Sequence, residues 1–259
     1  MLVSSFPRSG SSWFHRLLAD SIPAFLLTGR IAHAPGFDLC LDEFMRLSET
    51  LSEPAFVYKT HWPTFHSASQ SKFNIDGLFG FVVRDPRDVM LSLYYFNNNR
   101  LRARMSPTGR GIRYVRDVVK RTNSHLYNPL RGHRGRDFHF LMRELLKTEL
   151  PIWKSYLDEW NRPDVVIIRY EDLLADPRAA LETFLKRIDI AFKPELIDKA
   201  ILKWSFHNYG RKMAEEALPQ NHRMIRKGES GQWRTVLRKE HLDIVEQIVG
   251  KEMNRLGYR

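Results

Sequence analysis

The chain begins MLVSSFPRSGSSW, and these residues, 1–13, decide what kind of fold follows. The short apolar run at 2–6 is typical of a strand that is buried on both faces. Small residues then lead directly into a helical pattern, with Gly10 allowing a tight turn and Ser11 or Ser12 able to cap the helix. Backbone N–H groups and the helix dipole at such a turn attract anions. The stretch therefore predicts a phosphate-binding loop in an α/β fold.

This loop differs from that of nucleoside triphosphatases. The signature GxxxxGK[ST] is absent, no lysine stands ahead of the helix, and no second acidic magnesium ligand is obvious. Arg8 supplies a cation in its place. Taken alone, the loop is equally compatible with an ordinary capped turn, because small-residue turns between strands and helices are common.

Apolar runs and helical patterns alternate along the rest of the chain. This alternation predicts one α/β domain over residues 1–259, with a central parallel sheet flanked by helices and a ligand beyond the carboxyl ends of the strands. The predicted strands are 2–6, 55–59, 79–83 and 165–168, and the predicted helices are 12–20, 88–97, 112–122, 150–160, 177–188, 194–202 and 241–256.

Composition excludes several classes of protein. The 259 residues are 43% hydrophobic, enough for a full core. The single cysteine, Cys40, excludes an internal disulfide framework and a cysteine-based zinc cluster. The start of the sequence lacks the features of a secretory signal, and no segment approaches the ~20 apolar residues of a membrane span. We therefore expect a cytoplasmic protein.

The net charge of +11 is concentrated in two windows. Residues 100–149 contain 13 Lys or Arg against 4 Asp or Glu, and residues 203–239 contain 9 against 3. The basic segment at 98–135 is rich in loop-forming residues, which favours a lid or binding segment, although a solvated loop fits equally well. Local basic surfaces favour anionic ligands, and a nucleic-acid or anionic-surface binding module stays an alternative.

Two further stretches carry candidate ligand residues. At 81–95, FVVRDPRDVMLSLYY reads as a strand that ends at Arg84, with Asp85 as N-cap and Pro86 as the first helical residue. Arg84 and the helical Ser92 could hold a second phosphate. At 226–233, RKGESGQW sets two cations beside a glycine that allows close backbone approach, though alone it reads as a solvated basic loop.

The three stretches in this order resemble the cytosolic-type sulfotransferases, which use 3′-phosphoadenylyl sulfate (PAPS). In that family a PKSGTTW-like loop, an RxxxDVxxSxY-like strand and helix, and an RKGxxGDW-like loop bind the donor. Here they are FPRSGSSW, VRDPRDVMLSLYY and IRKGESGQW. Shorter matches follow in order: KTH at 59–61, YED at 170–172 and WSF at 204–206. Six ordered matches make coincidence improbable.

The resemblance implies a donor site and a set of catalytic residues. It places Trp13 and Phe206 on the two faces of the adenine, with Tyr170 and Ser205 completing the nucleotide site. The residues expected around the 5′-phosphosulfate are Arg8, Ser9, Gly10, Ser11, Ser12 and Trp13. Those expected at the 3′-phosphate are Arg84, Ser92, Arg226, Lys227 and Gly228. Lys59 and His61 would face the sulfuryl group and the acceptor.

The implied reaction transfers the sulfuryl group from PAPS to a small-molecule hydroxyl, or less readily an amine, and releases adenosine 3′,5′-bisphosphate (PAP). His61 would be the general base, and Arg8 and Lys59 would balance the charge that builds up on the sulfuryl oxygens and the leaving phosphate. Arg8 replaces the usual loop lysine, so it would act as an electrostatic clamp rather than as a proton donor. The scheme requires no metal. The alternative within enzymes is a nucleotide kinase-like protein.

Partners follow from the same resemblance. We expect PAPS and a small acceptor, with no nucleic acid and no membrane span, in a monomer or a homodimer. The basic segment at 98–135 favours either an acceptor that bears negative charge or a cover that recruits the polyanionic donor.

Overall fold

The computed structural model describes residues 1–22, 26–27, 56–59, 61, 79–104, 138–205, 207–208 and 228–259. Its strands are β1 (Leu2–Ser5), β2 (Leu26–Leu27), β3 (Phe56–Lys59), β4 (Phe79–Val83) and β5 (Val165–Arg169). Its helices are α1 (Ser11–Ser21), α2 (Pro86–Arg104), α3 (Phe138–Trp160), α4 (Tyr170–Ala175), α5 (Pro177–Arg187), α6 (Pro194–Lys203), α7 (Trp233–Val236) and α8 (Lys239–Arg255). These residues divide into two compact units. One contains Met1–Arg84 and Tyr156–Gly228, the other Asp85–Ser155 and Glu229–Arg259.

The first unit is built on a parallel sheet with the strand order β2-β3-β1-β4-β5. All four adjacent pairs are parallel, with Val3 opposite both Lys59 and Gly80, and Val83 opposite Arg169. The predicted α/β class with a central parallel sheet is therefore confirmed. Because parallel strands end at the same edge, the segments that follow β3, β1, β4 and β5 lie side by side in that order.

Both faces of this sheet are covered. On one face, α1, α5 and α6 pack on the sheet through an apolar cluster. This cluster contains Phe14 of α1, Val82 of β4 and Phe184 of α5. On the other face, the ring of Phe81 stacks on Trp160 from the end of α3, with centroids 5.8 Å apart. The alternation of Phe81 and Val82 to opposite faces is the period of a strand, and burial on both sides explains why these strands read as continuous apolar runs.

The second unit consists of helices. It contains α2, α7, α8 and the first 18 residues of α3. The rings of Tyr94 in α2 and Phe138 in α3 meet edge to face, 4.8 Å apart, and Arg143 in α3 pairs with Glu240 in α8 at 3.2 Å. The domain extent of 1–259 stays a prediction.

Several helix boundaries differ from the sequence predictions. The helix predicted at 150–160 is longer than expected and begins at Phe138. It continues through Pro151, which is exposed to solvent. There the carbonyl that loses its partner N–H can bond to water. The basic segment predicted as loop from 98 is helical as far as Arg104. The prediction missed β2, α4 and α7, which have two to six residues each.

Two further predictions concern residues that are not described. The helix predicted at 112–122 and Cys40 lie outside the described residues. Among the helices of the described ranges, none combines the length and apolarity that crossing a membrane would require.

Candidate functional site

The loop between β1 and α1 begins the site. Its N-cap is Gly10, with φ at 91° and no side-chain cap, so the expectation that Ser11 or Ser12 caps the helix is wrong. Glycine is required on two counts. Its φ is left-handed, and a Cβ at this position would lie 2.4 Å from Cδ2 of the Tyr170 ring. The Gly10 carbonyl oxygen accepts from the Trp13 and Phe14 N–H groups at 3.0 and 3.2 Å, but Gly10 offers no side-chain acceptor. The N–H groups of Ser11 and Ser12 at the start of α1 are therefore suited to an anion.

Ser5, Ser9 and Ser11, in and before this loop, are all buried but differ in their hydrogen bonds. Ser5 Oγ, at the end of β1, donates to Ser11 Oγ at 2.7 Å. Ser9 is fully buried, and its hydroxyl has no hydrogen-bond partner among the residues that the structure describes. An unsatisfied buried hydroxyl costs about 1–3 kcal/mol. In a loop of this kind, an oxygen atom of a bound phosphate or sulfate would satisfy it.

Lys59 and His61 lie beside this loop because β3 is paired with β1. His61 Nδ1 is 2.8 Å from the Ser5 carbonyl oxygen, which can only accept, so Nδ1 carries the hydrogen. His61 Nε2 is therefore the unprotonated nitrogen, and it accepts from Lys59 Nζ at 2.9 Å. Tyr156 Oη donates to the His61 carbonyl oxygen at 2.8 Å and fixes the backbone of this residue. The ring is held in one tautomer with its basic nitrogen toward a cation.

The surroundings of His61 keep it neutral. Burial above all, together with the cations Lys59 and Arg8, lowers the pKa of His61 from 6.5 to about 3, against the opposite effect of the hydrogen bond to Ser5. At neutral pH the imidazole is a free base and not an imidazolium. The arrangement can accept a proton at Nε2 once Lys59 releases that atom.

Arg84 follows β4 and lies on the other side of the loop. Its guanidinium carbon is 4.4 Å from the centre of the Tyr170 ring, and Nη1 donates to the Arg8 carbonyl oxygen at 3.5 Å. Tyr170 is buried and is the first residue of α4, directly after β5. The guanidinium is thus held against a ring face, at the same sheet edge as Lys59 and the β1–α1 loop.

Trp13 lies on the first turns of α1, near the end of α6. Its Nε1 donates to the Trp204 carbonyl oxygen at 2.7 Å, and its ring meets Tyr170 edge to face at 6.1 Å. Ser205 follows Trp204 and is partly buried. Trp204 Nε1 in turn bonds to Asp20 at 2.5 Å. These contacts bring Trp13, Tyr170 and Ser205 into one neighbourhood of the first unit, and Ser12 is the partly buried neighbour of Trp13.

The remaining predicted residues are Ser92, Phe206, Arg226, Lys227 and Gly228. Ser92 is in α2 of the second unit and is partly buried. Gly228 has a left-handed φ of 68° and ends the first unit. Phe206, Arg226 and Lys227 lie outside the described residues. The structure thus groups Arg8 to Trp13, Lys59, His61, Arg84, Tyr170 and Ser205 in the first unit.

Sequence reasoning missed three residues that hold other residues in place, two in the first unit and one in the second. Ser5 and Tyr156 orient His61 through its ring and its carbonyl oxygen. Asp88 binds the 230–233 segment through its carboxylate. Ser5 carried no signal of its own, and Tyr156 read as one aromatic in an apolar helix. Asp88 did have a local signal, because it ends the DPRD stretch from which Asp85 and Pro86 were predicted to start the helix.

One group of potential metal ligands occurs in the described ranges, His139, Glu240 and His241 in the second unit. Both ring nitrogens of His241 are already used. Nδ1 accepts from Arg238 N at 2.9 Å, and Nε2 is 3.2 Å from the His139 carbonyl oxygen, to which it donates. Glu240 pairs with Arg143. Since a metal needs a free imidazole lone pair, His241 is not available as a ligand in this arrangement, and its two hydrogen bonds instead join the start of α8 to α3.

Comparison with known proteins agrees with the geometry. The sequence profile of the sulfotransferase domain matches residues 1–257. Sulfotransferase 1 family member D1 of Rattus norvegicus is 22% identical, over 98% of this chain and 83% of its own length. The 3-beta-hydroxysteroid sulfotransferase of Cavia porcellus is 21% identical, over 95% of this chain and 82% of its own.

A solved structure supports the same fold. The mouse sulfotransferase SULT7A1, crystallised in complex with PAP, superposes with a TM-score of 0.62. It is 16% identical, and the match covers 98% of this chain and 84% of the mouse chain.

Proposed function

The chain belongs to the sulfotransferase domain family, and from this premise we propose that it transfers a sulfuryl group from PAPS to a hydroxyl group of a small acceptor. Sulfuryl transfer follows from the family itself. The donor, the acceptor class and the roles of individual residues are the proposal. One observation carries it: a neutral histidine with a basic Nε2 is held 2.9 Å from a lysine ammonium, beside an anion-binding loop.

The residues of the first unit fit the donor. The unpartnered Ser9 hydroxyl and the uncapped start of α1 offer donors to the 5′-phosphosulfate, together with Ser11, Ser12 and the Arg8 guanidinium. Arg84, held on the Tyr170 ring, offers a guanidinium to the 3′-phosphate. Ser92, Arg226, Lys227 and Gly228 would complete that phosphate site, and Trp13, Phe206, Tyr170 and Ser205 the nucleoside site. When bound, PAPS supplies the sulfuryl group and PAP as the leaving group.

The acceptor is activated by His61. The acceptor hydroxyl gives its proton to Nε2, its oxygen forms a bond to sulfur, and the bond from sulfur to the 5′-phosphate oxygen breaks with its electron pair on that oxygen. Nδ1–H keeps its bond to the Ser5 carbonyl oxygen throughout and fixes the ring. Lys59 occupies Nε2 in the free protein. Its ammonium is therefore expected to turn toward sulfuryl oxygens as Nε2 receives the proton.

Replacing His61 with alanine tests this assignment. We expect turnover of PAPS with an acceptor to fall by about 10²–10⁴-fold, the usual contribution of a general base. PAP binding should change little, because His61 is not among the expected nucleotide ligands. His207→Ala is the control, since His207 is exposed. Unchanged turnover in His61→Ala would remove His61 from its role.

The pH dependence gives an independent test. The pH profile of kcat/KM reports the base in the free enzyme, and the pKa of His61 is lowered to about 3. We expect kcat/KM to change by less than about twofold between pH 7.5 and 5.5. A histidine of ordinary pKa, 6.5, would lose about tenfold over that range. An acid limb near pH 6.5 would contradict the neutral, desolvated His61.

A further inference from the structure

The carboxylate of Asp20 joins the last turn of α1 to the end of α6. Its Oδ2 accepts from Trp204 Nε1 at 2.5 Å and pairs with Lys203 Nζ at 2.6 Å. Both helices belong to the first unit. Because Nε1–H is the one strong donor of an indole, this bond fixes the polar edge of the Trp204 ring against α1.

The rest of Trp204 is also enclosed. The residue is buried and belongs to the apolar cluster on the sheet, together with Leu17 of α1 and Ala200 of α6. The guanidinium carbon of the buried Arg16 lies 4.7 Å from the centre of the Trp204 ring. Trp204 N donates to the Ala200 carbonyl oxygen at 2.9 Å and closes the last turn of α6. The backbone of Trp204 is therefore held firmly beside α1.

This backbone in turn holds the indole of Trp13. Trp13 Nε1 donates to the Trp204 carbonyl oxygen at 2.7 Å, and its ring meets Tyr170 edge to face at 6.1 Å. Trp13 is only partly buried, and a partly exposed side chain keeps more rotamer freedom than a buried one. The bond to Trp204 removes that freedom, because rotation of the ring would break it. Asp20 thus acts on Trp13 through Trp204.

We propose that Asp20 is a positioning residue for recognition of the adenine base of the donor. It does not touch the nucleotide. It holds Trp204, whose carbonyl oxygen keeps the Trp13 indole in the orientation that stacks on adenine, so that little side-chain entropy is lost on binding. This inference rests on the proposed function, which places Trp13 against the base.

Two substitutions of Asp20 separate positioning from charge. A carboxylate near an anion site repels the anion, so loss of its charge alone would tighten nucleotide binding. Asp20→Asn removes the charge but keeps an amide oxygen that can accept from Trp204 Nε1. Asp20→Ala removes the acceptor as well. Positioning therefore predicts that the alanine variant binds the nucleotide more weakly and that the asparagine variant does not.

The test is calorimetric titration of adenosine 5′-monophosphate and of ribose 5-phosphate, which differ only in the base. We expect Asp20→Ala to weaken the nucleotide by about three- to tenfold, as when one more side chain must be ordered on binding, and to change ribose 5-phosphate by less than about twofold. Asp20→Asn should stay within about twofold of the wild type for both ligands. Asp198→Ala is the matched control, because Asp198 is an exposed carboxylate of α6 that pairs with Arg178 at 3.2 Å.

Equal weakening of both ligands in Asp20→Ala would overturn the proposal, as would an asparagine variant as weak as the alanine variant. A double-mutant cycle then asks whether Asp20 acts through Trp13. Trp13→Phe keeps an aromatic face but removes the indole N–H, so in this background Asp20→Ala should weaken the nucleotide by less than about a further twofold. The same loss in both backgrounds would show that Asp20 does not act through Trp13.

A second variant covers the case in which Asp20→Ala does not fold. Trp204→Phe keeps a ring in the core and removes the donor to Asp20; the nucleotide should weaken by about two- to fivefold, without change for ribose 5-phosphate. The wild type separates this inference from the proposed function. If the wild type binds the nucleotide no better than ribose 5-phosphate, the donor site itself is wrong. If that preference exists and survives in both variants, the role of Asp20 is wrong.

Discussion

Two junctions of a strand with a helix, β1–α1 and β4–α2, have the same topology and opposite chemistry. At β1–α1 the N-cap is Gly10, no side chain caps the helix, and the Ser9 hydroxyl is buried without a partner. At β4–α2 the Asp85 carboxylate accepts from the Arg87 N–H at 2.9 Å and also binds the Arg87 guanidinium. The first junction leaves its donors for a ligand, and the second satisfies them internally.

The difference shows two ways to recognise a phosphate. An uncapped helix offers backbone N–H groups and the helix dipole. A helix capped by a carboxylate cannot do so, because a negative charge already occupies that position. The second junction must use side chains instead, which is why Arg84, just before the cap, is its proposed ligand. Removal of a polar side chain should therefore lower affinity for the donor at the first junction and lower stability at the second.

The largest effect is expected for Asp85→Ala. It removes the cap and leaves the buried Arg87 guanidinium without its carboxylate, a loss of about 3–5 kcal/mol in the free energy of unfolding. Chemical denaturation measures this loss. Asp176→Ala is the matched control: Asp176 caps α5 through Ala179 N at 3.0 Å but is exposed, and should cost about 1 kcal/mol. Equal losses in the two variants would show that the second junction is no more than an ordinary cap.

Gly10→Ala should be the next most damaging substitution. A left-handed φ costs an alanine about 1–2 kcal/mol, and the contact at 2.4 Å with the Tyr170 ring adds about 1–3 kcal/mol of overpacking. We expect a loss of about 2–5 kcal/mol in the free energy of unfolding, measured by chemical denaturation, together with loss of PAP affinity in calorimetry. Gly80→Ala is a useful control. Gly80 has no left-handed φ, and a Cβ added there would lie 3.0 Å from its nearest atom, Cζ of Phe184. A fully stable Gly10→Ala protein would refute the geometry of this loop.

Ser9→Ala should have the smallest effect on stability. The hydroxyl has no partner to lose, so the free energy of unfolding should stay constant or rise by up to about 1 kcal/mol. Affinity for PAP should nevertheless fall by several-fold, as a neutral hydrogen bond to the ligand is worth about 0.5–1.5 kcal/mol. Ser21→Ala offers a contrast, because the Ser21 hydroxyl donates to the Leu17 carbonyl oxygen at 2.7 Å. If Ser9→Ala lost stability but kept its affinity, the first junction would be structural.

Much of the first unit could be predicted from the sequence. The strands around β1, β3, β4 and β5 were visible because burial on both faces demands continuous apolar runs. In the second unit, Asp85 and Pro86 marked the start of α2, and the structure confirms both positions. The parallel sheet then accounts for the proximity of Lys59, His61 and Arg84, since their strands end at one edge.

The parts that escaped prediction depend on tertiary contacts or on ambiguous local signals. Pro151 marked a helix start in sequence terms, yet α3 runs through it, because an exposed proline leaves its orphaned carbonyl to solvent. β2 has two residues, too few for any period. The need for glycine at the N-cap of α1 comes in part from the Tyr170 ring, and the partners of Asp88 lie more than 140 residues away. No local pattern encodes such contacts.

The central place of β1 in the sheet has a consequence for the kinetics of folding. Leu2 pairs with Tyr58 on one side and with Phe79 on the other, and β4 pairs in turn with β5, which begins at Val165. The partners of β1 and β4 are therefore distant in sequence. Contacts so distant in sequence slow folding and leave apolar strand edges exposed to other chains in the meantime. We expect refolding yield to fall as protein concentration rises.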